Sequence, residues 1–257
     1  MFLEVDSLTR RVGGLVAVSK VSFSIAQGEI VGVFGPNGSG KTTLLNVITG
    51  VYSPTEGSIN WRGESLVGDK PHQIAARGVI KTFQNPQLFR ELTVAENALI
   101  AGHLQLKNEL RARRLGAILP GRIKRDADAL IRGRIDDVLK LCRLYDTRDE
   151  LAANLSYGGE KMLGVAMAMM CAPKLLLLDE PGSGLGKDEL SNLDQVLRGL
   201  REHGTTLCVI DHRVGFLGKL ADRAIVLHHG AKIADGKPAD VLADAAVVAA
   251  YLGTAHA

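Results

Sequence analysis

The sequence predicts an α/β fold built around a phosphate-binding loop, and three observations predict it. A strand-like apolar run, Ile30-Val31-Gly32-Val33-Phe34, enters Gly35-Pro36-Asn37-Gly38-Ser39-Gly40-Lys41-Thr42-Thr43, and a helix-like run from Thr42 to Ile48 leaves it. The run Leu175-Leu176-Leu177-Leu178 is fully apolar until it ends in Asp179-Glu180, the pattern of a central parallel strand covered on both faces. A further buried run, Thr205 to Ile210, follows an amphipathic helix at Lys187 to Glu202 and ends in Asp211-His212, so strands and helices alternate.

The loop fits G-x-x-x-x-G-K-[ST], and its strand-loop-helix setting gives the string physical content. Glycines let the backbone turn its N–H groups toward an anion, and the helix N-terminus adds partial positive charge. Lys41 can reach β and γ phosphates, and the Thr42 hydroxyl can ligate Mg²⁺. Gly35, Pro36, Asn37, Gly38, Ser39, Gly40, Lys41, Thr42 and Thr43 are therefore the candidate nucleotide-binding residues. Asp179 is positioned to hold a Mg²⁺ hydration shell. Glu180, pointing to the other side of the strand end, can polarise a water for in-line attack on a γ phosphate. His212, at the tip of a neighbouring strand, is a candidate γ-phosphate contact.

Along the chain, short β-like runs from Leu3 to Ile25, with turns at Gly13-Gly14 and Gln27-Gly28, predict an antiparallel layer beside the loop, with adenine near it. Ser58 to Arg62 reads as a strand rejoining that layer, and Trp61 as packing rather than a nucleotide stacker. Val79 to Phe83 reads as a strand with Gln84 at its end, where an open α/β sheet meets ligand. Thr93 and Glu96 form a capping-box pattern before a helix. Residues 107–134 carry nine basic side chains (Lys107, Arg111, Arg113, Arg114, Arg122, Lys124, Arg125, Arg132, Arg134) against three acids. That stretch reads as a solvated helical hairpin, the alternative being a patch for anionic headgroups or a partner. Asn154 to Gly159 is a small-residue turn feeding a long apolar helix, a second anion-binding N-terminus. A hairpin around His229-Gly230 and a helix from Ala243 to Leu252 complete the chain.

Composition narrows the function classes. A chain of 257 residues that is 46% hydrophobic can bury a large interior, and a net charge of +3 gives no overall coat for nucleic acid or lipid. Cys142, Cys171 and Cys208 lack metal or C-x-x-C spacing and read as buried thiols of a reducing compartment. The N-terminus lacks a signal-peptide pattern, and no run approaches the roughly 18 apolar residues of a spanning helix. Any membrane role would run through a partner.

Together, the phosphate loop, Gln84, the Leu155-Ser156-Tyr157-Gly158 turn, the Asp179-Glu180 strand and His212 resemble the ATP-binding subunit of an ABC transporter from about Leu3 to Gly253. Gly13 to Val18, Thr82-Phe83-Gln84, Leu88 to Val94, the basic insertion and Ala250-Tyr251-Leu252-Gly253 are similar to the ATPase of branched-chain amino-acid importers; urea and amide importers share these features. The resemblance implies a RecA-like P-loop core with an antiparallel β subdomain (1–85 and 171–257) and an inserted α-helical subdomain (86–170). It implies ATP and Mg²⁺ as cofactors, Gln84 as sensor of γ phosphate, water and metal, and Ser156 and Gly158 acting in trans on a second ATPase subunit, identical or paralogous. Integral membrane permease subunits and, indirectly, a solute-binding protein are the implied partners, at the cytoplasmic face of the inner membrane, with no nucleic acid.

This sequence departs from the family pattern in three places. Val12 stands where an aromatic ring usually lies under adenine, a loss of roughly 1 kcal/mol of stacking. Gly159 replaces the signature glutamine and is followed by Glu160 and Lys161, an added carboxylate near phosphate. Gly186 replaces an Asp or Asn expected to serve cross-subunit communication. These leave room for a weakly active regulatory subunit. A soluble ABC ATPase acting on DNA or ribosomes is the remaining alternative, without a nucleic-acid module to support it.

Overall fold

The computed structural model describes the backbone of residues 1–112 and 122–252, with side chains described outside 106–127 and as far as residue 251. The chain opens with β1 (Leu3–Val12), β2 (Leu15–Ile25), β3 (Ile30–Phe34), α1 (Lys41–Ile48), β4 (Glu56–Trp61), β5 (Glu64–Ser65), α2 (Pro71–Ala76) and β6 (Val79–Lys81). Helices α3 (Val94–Ala112), α4 (Arg122–Leu141) and α5 (Tyr157–Met170) follow. Then come β7 (Leu175–Asp179), α6 (Lys187–Glu202), β8 (Thr206–Ile210), α7 (Val214–Leu220), β9 (Arg223–His228), β10 (Ala231–Gly236), α8 (Pro238–Ala243) and α9 (Ala245–Leu252). Two compact units result, one of Met1–Gln84, Lys174–Gly184 and Leu197–Ala257, the other of Asn85–Pro173 and Leu185–Val196. The stretch Leu185–Val196 thus groups with the helical residues, not with the strands that flank it in sequence.

The first unit holds a four-stranded antiparallel sheet, ordered β2-β1-β4-β5, and a six-stranded sheet ordered β10-β9-β3-β8-β7-β6. Strands β9, β3, β8, β7 and β6 run parallel, and β10 closes one edge antiparallel. Each residue of β3, β7 and β8 is buried, because a parallel strand covered on both faces has no solvent side. Leu44, Leu45 and Ile48 of α1 share one core with Leu3, Leu8 and Trp61 of the antiparallel sheet and Val33, Leu177 and Ile210 of the parallel sheet. The helix that leaves the loop is therefore held from both layers. Trp61 packs edge-on against Phe2 with ring centroids 4.4 Å apart and donates its indole N–H to the Arg77 carbonyl at 3.2 Å, a packing role.

The short runs expected between Leu3 and Ile25 are instead two long strands. Left-handed residues Ser7 and Lys20 (φ 48° each) absorb irregularities in the β1–β2 register, so pairing continues where a pattern of period two breaks. The expected helix from Ala243 to Leu252 divides at Asp244, whose carboxylate accepts the N–H of Ala246 at 2.8 Å and caps α9.

In the second unit α3 packs on α4 and α5, and α4 on α5. The Thr93–Glu96 box is formed: the Thr93 N–H and hydroxyl reach Glu96 Oε2 at 2.8 and 2.9 Å, and the Glu96 N–H reaches Thr93 Oγ1 at 3.2 Å. The Thr93 backbone N–H, then its hydroxyl, hold the Glu96 carboxyl below its ordinary range. Of the basic stretch, Arg134 donates to the Met169 carbonyl at 3.4 Å. The break expected at Gly116, Pro120 and Gly121 and the side chains of Lys107, Arg111, Arg113, Arg114, Arg122, Lys124 and Arg125 lie outside the described residues. Among the described residues no helix is long and apolar enough to cross a membrane.

Candidate active site

Strand β3 delivers its loop between β8 and β9. The first and last loop glycines are fixed by close approach: a Cβ on Gly35 (φ 144°) would lie 2.2 Å from the Leu227 carbonyl oxygen, and one on Gly40 (φ 99°) 2.3 Å from that of Ala17. Neither position admits a side chain. Lys41, buried at the start of α1, turns its ammonium back on the loop and donates to the carbonyls of Gly35 and Pro36 at 2.8 and 2.9 Å and to Ser39 Oγ at 3.5 Å. Burial lowers its pKa, and the nearby charges of Glu180 and Asp179 act in the opposite sense. The ammonium is thus stored where an anion in the loop would draw it.

The loop lines a cavity of about 330 Å³ with Leu15, Val16 and Ala17 of β2, Glu180, and His229-Gly230 of the β9–β10 hairpin. Backbone bonds tie these pieces together, from Ser19 N–H to the Gly230 carbonyl at 2.8 Å and from Gly230 N–H to the Ser39 carbonyl at 3.1 Å. Val12, expected on the base side, is 53% exposed on the other strand of the hairpin and does not line this cavity. The reason is that β2, not β1, abuts the loop, through Ala17 against Gly40 and Gly230.

Asp179 ends β7 and is 3% exposed. Its Oδ1 accepts the Thr42 hydroxyl at 3.1 Å, and its Oδ2 pairs with the Lys81 ammonium at 3.0 Å. Lys81 also donates to Asn46 Oδ1 at 2.7 Å, so it links β6, β7 and α1. The sequence reading missed Lys81, because only the β6–β7 pairing, with Lys81 opposite Leu177, brings its ammonium within reach of Asp179. Thr42 Oγ1 and Asp179 Oδ1 offer hard oxygens of the kind Mg²⁺ takes, and Oδ1 keeps lone-pair capacity beyond the Thr42 bond.

Glu180 lies one residue beyond β7 in a left-handed conformation (φ 52°). A glutamate there carries strain of about 1–3 kcal/mol, the kind of backbone cost that gathers at functional sites. Gln84 donates its amide to Glu180 Oε2 at 2.9 Å, uniting two residues 96 positions apart. Glu180 lines both the loop cavity and a second cavity of about 430 Å³, whose other walls are Gly35, Pro36, Asn37, His212 and Tyr251. The fully buried Asp211 anchors this edge: its Oδ2 accepts the Gly182 N–H at 3.0 Å and its Oδ1 the Arg213 N–H at 2.9 Å, with His212 Nδ1 3.9 Å from Oδ1. Strand β8 lies between β3 and β7, so His212 emerges between the loop and the two carboxylates.

Ser156 and Gly158 belong to the second unit. Ser156 Oγ caps α5 by accepting the Gly159 N–H at 3.1 Å. Gly158 faces Glu189, whose Oε1 would lie 2.3 Å from a Cβ at 158, while Glu189 Oε2 accepts the Gly186 N–H at 2.8 Å. Glu160, the added carboxylate of the turn, is paired with Arg90 at 2.8 Å. Lys161 is buried with its ammonium 5.4 Å over the Tyr157 ring.

Comparison with known proteins agrees with this geometry. A family model described as ABC transporter matches residues 18–183, and one described as Branched-chain amino acid ATP-binding cassette transporter matches residues 231–257. The chain is 40% identical to the high-affinity branched-chain amino acid transport ATP-binding protein LivG of Salmonella typhimurium over 98% of both chains. It is 38% identical to the corresponding protein BraF of Pseudomonas aeruginosa, again over 98% of both. Its fold matches an ATP-binding cassette of an ABC transporter in its ADP conformation with a TM-score of 0.83 and 28% identity over 98% of both chains. A dimeric cassette bound to ADP and Pi matches with a TM-score of 0.74 and 25% identity, over 92% of this chain and 98% of that one. The chain belongs to the ABC transporter family, as one of its ATPase cassettes.

Proposed function

We propose that this chain is the ATPase subunit of an importer for branched-chain amino acids, the solute named for its relatives LivG and BraF. The observation that carries the catalytic part is the convergence of the phosphate loop, Asp179, Glu180 and His212 at the ends of the adjacent parallel strands β3, β8 and β7, with Gln84 bonded to Glu180. Ligands of open α/β sheets bind at that edge.

ATP phosphates enter the loop of Gly35 to Thr43, where backbone N–H groups and the helix N-terminus favour the anion and draw Lys41 from its carbonyls. Thr42, Asp179 and Gln84 would hold Mg²⁺, which would neutralise charge on the β and γ phosphates. Glu180 accepts a proton as the attacking water forms its bond to the γ phosphorus. The bond to the β–γ bridging oxygen breaks, releasing ADP and phosphate, while His212 holds the γ-phosphate oxygens. Gln84 reports the state of that centre. Val12, outside the loop cavity, supplies no ring to the base. Ser156 and Gly158 of a second cassette, identical or paralogous, close over the nucleotide, so that ATP favours the paired state and hydrolysis releases it. Residues 1–85 and 171–257 form the nucleotide core in this reading, and 86–170 carry the signature turn. The subunit sits peripherally at the cytoplasmic face of the membrane on permease subunits, with a solute-binding protein reached through them.

The test is Glu180→Gln. Hydrolysis of MgATP is expected to fall by roughly 10²-fold or more, while ATP still drives dimerisation and the tagged chain recovered from gently solubilised membranes brings permease subunits with it. Full activity in the variant removes Glu180 from the mechanism. Recovery without any membrane protein removes the transport reading.

A further inference from the structure

The backbone N–H of Gly35, at the entry of the phosphate loop, is donated to the Tyr251 hydroxyl at 2.9 Å, across 216 positions of chain. Gly35 is buried and wedged, with the Leu227 carbonyl and Ser39 Oγ where a Cβ would stand. The backbone there has little freedom to turn its amide to another partner. Tyr251 lies in the last turn of α9, a helix capped by Asp244 and seated through buried Val247 and Ala250. Burial raises the pKa of its hydroxyl, with the Gly35 N–H acting against it, so the group is a neutral phenol that accepts this bond at physiological pH.

The tether holds the entry of the loop, where its two cavities meet through Asn37 and Glu180. Residues Asn37 to Thr43 line the loop cavity, whereas Gly35 lines the second cavity with Glu180, His212 and Tyr251. Loss of the Tyr251 bond leaves the cradle's N–H groups in place and loosens the loop on the side where water is activated.

We propose that Tyr251 is a positioning residue for the ATPase reaction: by holding the Gly35 N–H it fixes the entry of the phosphate loop relative to Glu180 and His212. The seating of the C-terminal helix α9 thereby sets turnover more than nucleotide affinity. This rests on the roles given above to Glu180 and His212.

Tyr251→Phe keeps the ring and removes the hydroxyl that accepts the Gly35 N–H. In the full chain, kcat for MgATP is expected to fall about fivefold, the factor corresponding to one net hydrogen bond. KM is expected to change by less than about twofold, and the thermal midpoint by no more than about 4 °C. The Gly35 amide should exchange faster with solvent and shift its ¹⁵N–¹H resonance. Wild-type kcat in the variant overturns the proposal, as does an unchanged Gly35 amide. A loss of kcat that comes only with a large fall in thermal midpoint also overturns it, since that marks general destabilisation. Glu180→Gln measured in parallel separates the two ideas: if it is inert while Tyr251→Phe turns over normally, only the tether fails; if it is fully active, the reading of the site itself fails.

Discussion

At the scale of single residues, the site is a set of charges held by specific partners. Asp179 is the clearest case, with one oxygen on Thr42 and the other on Lys81. Removing Lys81 leaves a buried carboxylate unpaired, so Lys81→Met is expected to destabilise the chain by about 3 kcal/mol. Urea denaturation of the two chains measures this, and an unchanged midpoint would show the pair to be dispensable. The placement of Asp179, Glu180 and His212 at strand ends was legible in the sequence, because a polar residue closing an apolar run is unusual and a parallel sheet gathers strand ends. Lys81, Asp211 and Tyr251 were not legible in these roles. A lysine ending a three-residue strand carries no local signal, and the Tyr251 bond depends on where a helix far along the chain comes to rest.

At the scale of elements, the loop from Phe89 to Thr93 shows how one buried polar side chain can fix an irregular segment. Asn97, fully buried in the first turns of α3, donates to the carbonyls of Phe89 and Thr93 at 2.9 Å each and to that of Leu92 at 3.3 Å; it accepts the Phe89 N–H at 2.9 Å. Phe89 itself is 49% exposed, so the clamp holds an outward-facing aromatic in place. Asn97→Ala leaves these backbone groups short of partners and is expected to destabilise the chain by about 1–3 kcal/mol. Hydrogen exchange should quicken first at the Phe89 amide; uniform loss of protection along α3 would contradict a local clamp. The capping box at Thr93 was legible because it repeats a fixed spacing, while Asn97 looks in sequence like any polar residue of a helix. The merger of short runs into β2 was hidden for a related reason, since bulges interrupt periodicity without interrupting pairing.

At the scale of the whole molecule, the core sets how stability responds to pH. Burial pushes the Cys208 thiol in β8 and the Cys142 thiol after α4 up to about 12. The fold keeps both protonated, so their contribution is complete below the unfolded thiol's pKa of about 9 and is lost as pH rises toward 12. Between those limits each thiol lowers stability by about 1.4 kcal/mol per pH unit. Cys208→Ala is expected to flatten the decline by that amount in urea titrations from pH 9 to 11, and an unaltered slope would show the thiol to be solvated. The sequence by itself determined the class of fold, the phosphate loop and the strand-end acids, because apolar runs, glycine spacing and a motif in context are local properties of the chain. Only the tertiary structure decided that Leu185–Val196 groups with the helical unit, that β2 rather than β1 meets the loop, that Glu160 pairs with Arg90, and that Tyr251 reaches Gly35. These depend on strand order, register and the docking of helices distant in sequence, which packing of the folded chain fixes and local pattern does not contain.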